Sequence, residues 1–153
     1  MKKITGLYDG KGLKVAIIMS RFNDLVGKQL VEGAKECLLK LQVNESDITL
    51  IEIPGAFEMP LVTQKVAKDH TFDAIICCGA VIRGATPHFD MVANEVTKGI
   101  ATVSLQTSTP IINAVLTTDS MEQALERAGL KAGNKGYEAA LVAVEMVSLL
   151  KQL

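Results

Sequence analysis

The sequence predicts an α/β protein in which a parallel sheet carries helices on both faces. Short, unbroken apolar runs alternate along the chain with longer segments whose apolar residues recur every three or four positions. Unbroken runs are typical of strands that are buried on both faces, and the longer spacing is typical of amphipathic helices. Because the two patterns alternate and short turns join them, strand–helix–strand units of a parallel sheet are favoured.

Four apolar runs are predicted to be strands, at residues 14–20, 48–53, 74–79 and 110–117. Helices are predicted at residues 25–41, 58–68 and 89–102, and a short helix that Asp119 or Ser120 caps ends at Gly129. A last helix follows the turn at residues 132–136 and continues to the C-terminus. Residues 4–8 precede the first strand and are predicted as a short edge strand that could add to the sheet of another chain.

Length and composition fit a single domain that covers residues 1–153. The net charge of −1 argues against an extended basic surface for nucleic acid. The most apolar segment, residues 139–150, is too short to span a membrane, and the basic start of the chain lacks the apolar stretch of a signal peptide. Cys37, Cys77 and Cys78 form neither a disulfide framework nor a metal motif, so we expect reduced thiols and a cytoplasmic location.

Apolar residues surround almost the whole circumference of the last helix. A helix of this kind lies either at the centre of a fold or at an interface. Since a terminal helix is rarely central in a sheet that is covered on both faces, the pattern favours contact with a partner subunit.

The turns that follow the strands are the expected place for a functional site. Ligands of parallel sheets bind outside the carboxyl ends of the strands, so these turns should meet at one edge. They are residues 20–24, 54–58, 79–88 and 117–120. The first three contain most of the unusual side chains, and the site is therefore expected among them.

The third of these turns combines a fixed cation, Arg83, with small residues, a hydroxyl at Thr86 and a titratable ring at His88. Pro87 suits the first turn of a helix, and the free N–H groups of a helix start can hold an anion. Histidine exchanges protons near neutral pH. The turn is therefore a candidate anion site beside a proton-transfer group. The alternative is a plain capped turn with a surface arginine and a histidine that only caps or packs.

Further candidates flank this turn. Phe22 and Phe57 lie in the other two turns, where aromatic rings either stack on a planar ligand or fold onto the core. Glu58, at a helix start, either accepts hydrogen bonds from ligand hydroxyls or caps the helix. Arg127 lies near the end of a short helix, where a cation is favourable in any case, although Lys135 in the next turn favours an anion site.

No spacing of cysteine, histidine or carboxylate residues indicates a metal site, and no P-loop or dinucleotide-binding glycine motif is present. The nucleophile motifs of serine and cysteine enzymes are also missing. The residues by themselves predict an α/β protein that binds a planar, hydroxylated or phosphorylated small molecule and has one acid–base histidine.

Four strings of residues, in this order, are similar to those of one enzyme family. They are SRFND at 20–24, PGAFE at 54–58, GAVIRGATPHFD at 79–90 and ERAGLKAGNKG at 126–136. Through them, and over residues 6–150, the chain resembles the 6,7-dimethyl-8-ribityllumazine synthases, which catalyse the penultimate step of riboflavin biosynthesis. The resemblance implies a flavodoxin-like three-layer α/β/α fold, with a central four-stranded parallel sheet plus a short N-terminal edge strand.

The resemblance also implies a reaction. The family condenses 5-amino-6-(D-ribitylamino)uracil with 3,4-dihydroxy-2-butanone 4-phosphate to the lumazine, phosphate and water, without a metal or organic cofactor. The amine attacks the ketone to form an imine, phosphate leaves by elimination, and the ring closes. A non-catalytic carrier of flavin or lumazine on the same fold is the alternative. An electron carrier is disfavoured, because the first turn reads Arg21-Phe22-Asn23 rather than being rich in serine and threonine.

Site residues follow from the match, position by position. His88 is expected to transfer protons, and Phe22 to stack on the pyrimidine. The ribitylaminouracil is expected to contact Phe22, Ala56, Phe57, Glu58, Ala80, Val81, Ile82, Asn113 and Lys135. The butanone phosphate is expected to contact Ala85, Thr86 and Arg127. Asn113 replaces a phenylalanine that many members carry, so an amide stands where the family has an apolar wall.

In the family, the residues that match Asn113, Arg127 and Lys135 reach the site from an adjacent subunit. The resemblance therefore implies a homopentamer. The short AGLKAGNKG turn resembles that of members in which twelve pentamers form a sixty-subunit icosahedral shell, and riboflavin synthase enclosed in such a shell is a candidate partner. Small-molecule substrates are expected, whereas nucleic acid and membranes are not.

Overall fold

The computed structural model describes residues 1–131 and 133–153. Its strands are β1 (Val15–Ser20), β2 (Ile48–Ile53), β3 (Ala74–Ile82) and β4 (Ile111–Thr118). Its α-helices are α1 (Asp24–Lys40), α2 (Met59–Lys68), α3 (His88–Thr107), α4 (Met121–Arg127) and α5 (Lys135–Leu150). Short 3-10 helices occupy Glu45–Asp47 and Ala56–Glu58.

The strands of the described residues form one parallel sheet in the order β2-β1-β3-β4. This confirms the predicted parallel sheet, and the order matches the first four strands of flavodoxin-like folds. The central strands β1 and β3 are buried along almost their whole length, as expected of strands covered on both faces. The strand order reverses between β1 and β3, and ligands of such sheets bind at the carboxyl edge of a reversal.

Helices cover both faces of the sheet, and the sheet divides the core into two parts. On one face, α1 and α5 pack against a cluster that includes Ile17 and Ile76. On the other face, α2 and α3 pack against a cluster that includes Ile18 and Ile75. Neighbouring strand residues thus point to opposite cores, which is the period-two pattern of a strand. The arrangement confirms the predicted three layers.

The ends of several elements at the carboxyl edge differ from the predictions. The sequence pattern ends β3 at Gly79, but the strand continues to Ile82 because β4 pairs with it as far as Thr118. α3 begins at His88 rather than one residue later, and it ends at Thr107 rather than at residue 102. Glu58 lies in a 3-10 helix, and α2 begins at the next residue.

The predicted N-terminal edge strand is not formed within this chain, because residues 4–8 have no strand structure. The N–H group of Leu7 instead donates to Ser148 Oγ at 2.9 Å. The Tyr8 hydroxyl donates to Glu145 Oε2 at 3.1 Å. The segment therefore lies along α5 of its own chain, and its addition to the sheet of another chain remains a prediction.

α5 buries more of its surface within the chain than its sequence pattern indicates. The residues that it buries against α1 and the sheet are mostly small, namely Gly136, Ala139, Ala140, Ala143, Val144 and Val147. Small side chains let helices approach closely, so a terminal helix can cover the sheet here. Contact with a partner subunit remains a prediction for the opposite side, where Val142 and Leu150 are each 42% exposed.

The three cysteines pack as apolar residues, as the sequence predicts. All three are free and buried. Burial raises the pKa of the Cys37 thiol to about 11 and that of Cys77 to about 12, and it also raises the pKa of Cys78. Since the thiolate is the reactive form, these thiols are poor nucleophiles at neutral pH.

Candidate active site

A cavity lies at the carboxyl edge of the sheet, where the turns after β1, β2 and β3 meet. Its volume is about 500 Å³, which suits a small-molecule site. It is lined by Phe22, Asn23, Gly55, Ala56, Phe57, Glu58, Ala80, Val81, Ile82, Gly84, Thr86, His88, Phe89 and Val92. The three turns that the sequence singles out therefore converge on one cavity, at the reversal of strand order.

Hydrogen bonds between neighbouring turns hold the wall of the cavity together. The N–H group of Phe22 donates to the carbonyl oxygen of Pro54 at 3.2 Å, which fastens the turn after β1 to the turn after β2. Asn23 has a φ of 61°, in the left-handed region that asparagine tolerates better than most residues. From there its Nδ2 donates to the carbonyl oxygen of Ala80 at 3.1 Å, which joins the first turn to β3.

Phe22 and Phe57 line the cavity with their rings largely in solvent. The two residues are 73% and 62% exposed. Rings folded onto the core would be buried, so that alternative is wrong for both. The free energy falls when a ligand or a protein surface covers large apolar rings. The pair therefore supports a planar ligand, a partner surface or both at this place.

The carboxylate of Glu58 lies beside the backbone of Gly55. A Cβ atom added at Gly55 would be 3.0 Å from Glu58 Oε2, so glycine allows this approach. Glu58 precedes α2, but its side chain makes no capping hydrogen bond in the described part of the chain. Helix capping therefore does not account for the side chain of Glu58, a residue that lines the cavity.

β3 extends past the end of β1 at this edge. The pairing of the two strands stops at Met19 and Cys78, whereas Ala80–Ile82 continue into the wall of the cavity. No residue of β1 pairs with this extension, and the carbonyl oxygen of Ala80 accepts its hydrogen bond from the Asn23 side chain instead. The other backbone groups on that side can face a ligand. A strand end of this kind suits a ligand with several polar atoms along one edge.

The turn between β3 and α3 supplies the anion candidate. Gly84, Thr86 and His88 line the cavity, and Ala85 lies in the same turn. α3 begins at His88 and is 20 residues long, so the N–H groups of its first turn and the positive end of its dipole lie beside the cavity. His88 is exposed, and the alternative of a packed histidine is therefore wrong.

Four predicted site residues are missing from the lining of this cavity: Ala85, which lies in the turn beside it, and three residues from later in the chain. Asn113 is exposed on β4, and its Oδ1 accepts a hydrogen bond from the N–H group of Val115 at 2.9 Å. Arg127 ends α4 and donates through Nη1 to a main-chain oxygen of its own helix at 3.0 Å. Lys135 pairs with Glu138 at 2.7 Å. A single chain does not bring these three residues to the cavity, and their contact with substrate remains a prediction.

Asn134 fixes the start of α5. Its Oδ1 accepts hydrogen bonds from the N–H groups of Gly136 and Tyr137 at 2.8 and 3.1 Å. Its Nδ2 donates to the carbonyl oxygens of Gln29 and Ala128 at 2.9 and 3.0 Å. One amide thus caps α5 and joins it to α1 and to the residue after α4. These bonds help to set the positions of Arg127, at the end of α4, and Lys135, at the start of α5.

A larger groove of about 810 Å³ lies between α1 and the start of α5. Its wall is formed by helix surfaces, with Glu32, Lys35 and Glu36 among the lining residues. It contains no predicted site residue and lies away from the strand ends. Volume alone therefore does not identify the site, whereas the convergence of strand-to-helix turns does.

Among residues 1–131 and 133–153, no group of three or more histidine, cysteine, aspartate or glutamate side chains is placed to hold a metal ion. In the same part of the chain, none of the helices combines the length and apolar character that crossing a bilayer requires.

Sequence reasoning missed several residues of the cavity wall, among them Asn23, Gly55, Phe89 and Val92. Asparagine directly before a helix is a signal for a left-handed or capping residue, so Asn23 could have been found. Val92 lies one helical turn after His88. If the helix is taken to begin at His88, Val92 lies on the same face as His88, and this spacing could have placed Val92 at the cavity.

Two comparisons with known proteins identify the family. A family model described as 6,7-dimethyl-8-ribityllumazine synthase matches residues 12–151. Proteins named 6,7-dimethyl-8-ribityllumazine synthase from Chlorobium limicola and Chlorobaculum parvum are each 53% identical to the chain, over 99% and 100% of it and over 98% of their own lengths. The chain therefore belongs to the 6,7-dimethyl-8-ribityllumazine synthase family.

Proposed function

We propose that the cavity at the carboxyl edge is the active site in which this enzyme condenses 5-amino-6-(D-ribitylamino)uracil with 3,4-dihydroxy-2-butanone 4-phosphate. The products are 6,7-dimethyl-8-ribityllumazine, phosphate and water, in the penultimate step of riboflavin biosynthesis. Family membership over residues 12–151 supports the reaction. The observation that carries the assignment of the site is the convergence of Phe22, Glu58 and His88, from three separate turns, on one cavity.

The ribitylaminouracil lies between the first two turns and the end of β3. Phe22 stacks on the pyrimidine, because an exposed aromatic face gains contact area from a planar ring. Backbone groups of Ala80–Ile82 bind the polar edge of the ring. Ala56 and Phe57 hold the pyrimidine and the start of the ribityl chain, and the Glu58 carboxylate accepts hydrogen bonds from ribityl hydroxyls.

The butanone phosphate lies at the turn before α3. The backbone of Ala85 and Thr86 holds its phosphate, since free N–H groups and the helix dipole favour an anion there. The amine nitrogen bonds to the ketone carbon, and water leaves as the imine forms. His88 then takes a proton from carbon, and the electron pair that is left behind expels phosphate and leaves an enol. Once the enol has become a ketone, the ribityl-bearing nitrogen bonds to its carbonyl carbon, and a second water leaves as the ring closes.

A second copy of the chain completes the site. Asn113, Arg127 and Lys135 match substrate-binding positions of the family but lie outside the cavity of their own chain. We assign them to the cavity of a neighbouring chain in a cyclic homopentamer. Arg127 there holds the phosphate, and Asn113 and Lys135 border the pyrimidine. The exposed rings of Phe22 and Phe57 support such a cover.

The larger arrangement that we propose is a cytoplasmic shell of sixty chains, formed from twelve pentamers and able to enclose riboflavin synthase. Sedimentation of the purified protein tests the assembly. A mass five or sixty times the 16.4 kDa of one chain is the expected result. A monomer would contradict the shared site and leave the cavity incomplete.

Turnover with both substrates tests the reaction. The purified protein should form a product with the absorbance of a lumazine and release phosphate in equal amount, faster than the two substrates react alone. A non-catalytic carrier would bind lumazine or flavin without releasing phosphate. A rate equal to that of the spontaneous reaction would refute the enzyme.

Arg127→Ala is expected to raise the KM for the butanone phosphate by about 10- to 100-fold, because a charged hydrogen bond to the phosphate is lost. The KM for the ribitylaminouracil should change little. Arg127→Lys is the matched variant, since it keeps the charge but not the planar fork, and a smaller rise is expected. Steady-state kinetics with each substrate varied in turn measures both values. An unchanged KM for the butanone phosphate would remove Arg127 from the site.

Co-expression of two defective variants tests whether the site is shared. His88→Ala removes the proton-transfer residue from a chain's own cavity. Arg127→Ala removes the arginine with which a chain holds the phosphate in the cavity of its neighbour. In a ring of both variants in equal amounts, about one interface in four combines an intact His88 with an intact Arg127. Activity at low butanone phosphate should therefore recover to about a quarter of the wild-type value. Co-expression of the double variant with either single variant should recover nothing, and equal recovery there would contradict the shared site.

A further inference from the structure

Residues 83–87, between β3 and α3, form the turn at which we place the phosphate, and we call it the anion turn. The proposed reaction gives no role to the side chain of Arg83, the charged residue of this turn. It lies outside the lining of the cavity, at the end of β3. Its Nε donates to Asp119 Oδ1 at 2.8 Å, and its Nη1 lies 3.5 Å from Asp90 Oδ2. Its guanidinium carbon is 4.3 Å from the centroid of the Phe89 ring. The side chain therefore contacts three residues that belong to two different elements.

These contacts join both ends of the anion turn. Arg83 precedes Gly84, whereas Phe89 and Asp90 lie in the first turn of α3, directly after His88. Phe89 itself lines the cavity, so the guanidinium contacts a residue of the cavity wall. The third contact, Asp119, follows β4 and adds a fixed point outside the turn.

The turn itself has little packing to hold it. A Cβ atom added at Gly84 would meet no atom within 4 Å, and residues 83–88 are all exposed. A turn that must present N–H groups and an imidazole to substrate within fractions of an ångström needs support from elsewhere. The side chain of Arg83 provides contacts of this kind.

Its surroundings do not suit a phosphate ligand. The hydrogen bond to Asp119 raises the pKa of the guanidinium above its ordinary value. Two carboxylates, of Asp90 and Asp119, lie beside a single positive charge, so the cluster carries net negative charge and repels an anion.

We propose that Arg83 is a positioning residue, which holds the anion turn and His88 in their catalytic arrangement through Asp119, Asp90 and Phe89 rather than by binding the phosphate. The inference rests on the proposed function of the cavity. It predicts that activity depends on the carboxylate of Asp119 as well as on the guanidinium of Arg83. Asp119 lies outside the cavity, and its charge would only repel a phosphate.

Asp119→Asn separates the two roles. If Arg83 positions the turn, Asp119→Asn and Arg83→Gln should each lower kcat/KM for the butanone phosphate by about 10- to 100-fold. The double variant should be no worse than Arg83→Gln alone, because Arg83→Gln already removes the contact with Asp119. Arg83→Lys, which restores a charge without the fork, should recover part of the loss. If Arg83 binds phosphate directly, Asp119→Asn should leave the KM unchanged or lower it, and that result would overturn the proposal.

Lys40→Gln is the matched control. Lys40 also pairs with a carboxylate, Glu36, at 2.7 Å, and lies 5.5 Å from an aromatic ring, that of Tyr137. It lies at the far end of α1, so the variant should keep wild-type kinetics. A loss in this variant as large as that of Arg83→Gln would show a general effect of surface charge and would overturn the proposal.

Hydrogen exchange of the peptide that covers residues 83–90 gives a readout that needs no activity. The amide hydrogens of this peptide should exchange faster in Arg83→Gln and Asp119→Asn than in the wild type or in Lys40→Gln. The midpoints of unfolding should change little, since exposed ion pairs contribute little to stability. Unchanged exchange in both variants would refute the positioning role. An inactive wild type would refute the proposed function alone, and the exchange rates would still decide the role of Arg83.

Discussion

His88→Ala is expected to lower kcat by about 100-fold while the KM for each substrate stays within about twofold of the wild-type value. His88 begins α3, is exposed and lines the cavity beside Thr86, which is where we propose that both substrates bind. We expect the lower end of the range for general acid–base catalysis, because holding two substrates together contributes much of the acceleration by itself. Single-turnover measurements with both substrates bound isolate the chemical step.

His70 offers a matched control, since it is the other histidine of the chain and lies outside the cavity. Its φ of 52° favours asparagine over alanine as the replacement. His70→Asn should keep wild-type kinetics. A chemical step in His88→Ala as fast as in His70→Asn would remove His88 from the reaction.

Gly136→Ala is expected to lower the free energy of unfolding by about 3 kcal/mol or more. Gly136 is buried in the first turn of α5, and an added Cβ atom would overlap the carbonyl oxygen of Leu30 in α1. That oxygen belongs to the backbone of a helix that packs against the sheet, so it cannot move aside as a flexible side chain could. Denaturant midpoints, measured at one fixed protein concentration, report the loss.

Gly84→Ala is the control for a glycine that has room. An added Cβ atom there meets no atom within 4 Å. The free energy of unfolding of Gly84→Ala should therefore stay within about 0.5 kcal/mol of the wild-type value. Equal midpoints for the wild type and Gly136→Ala would mean that α1 and α5 can separate without loss. The close packing of these two helices would then contribute little to stability.

The order of elements could be predicted because the hydrophobic pattern changes wherever a strand gives way to a helix. The rule that ligands lie at the carboxyl ends of parallel strands then predicts that Phe22, Glu58 and His88 lie close together. The end of β3 could not be predicted from its own residues. Its extension to Ile82 depends on pairing with β4, a partner about 36 residues away in sequence.

Long-range contacts also explain the other differences. Asparagine is a common helix cap, but the hydrogen bond from Asn134 to the carbonyl oxygen of Gln29 spans 105 residues, and only the fold reveals it. The segment at residues 4–8 has the pattern of a strand, yet contacts with Glu145 and Ser148 at the other end of the chain decide its course. Local pattern predicts which elements form, whereas distant partners fix their ends.

Arg127 lies outside the cavity that its own chain forms, and in the proposed ring each chain therefore gives a cavity to one neighbour and an arginine to the other. A copy that folds and assembles but lacks both His88 and Arg127 would disable two sites rather than one. In a cell that makes such a copy beside the normal one, the defect would be dominant. A copy that cannot fold would be recessive, because it would never enter the ring.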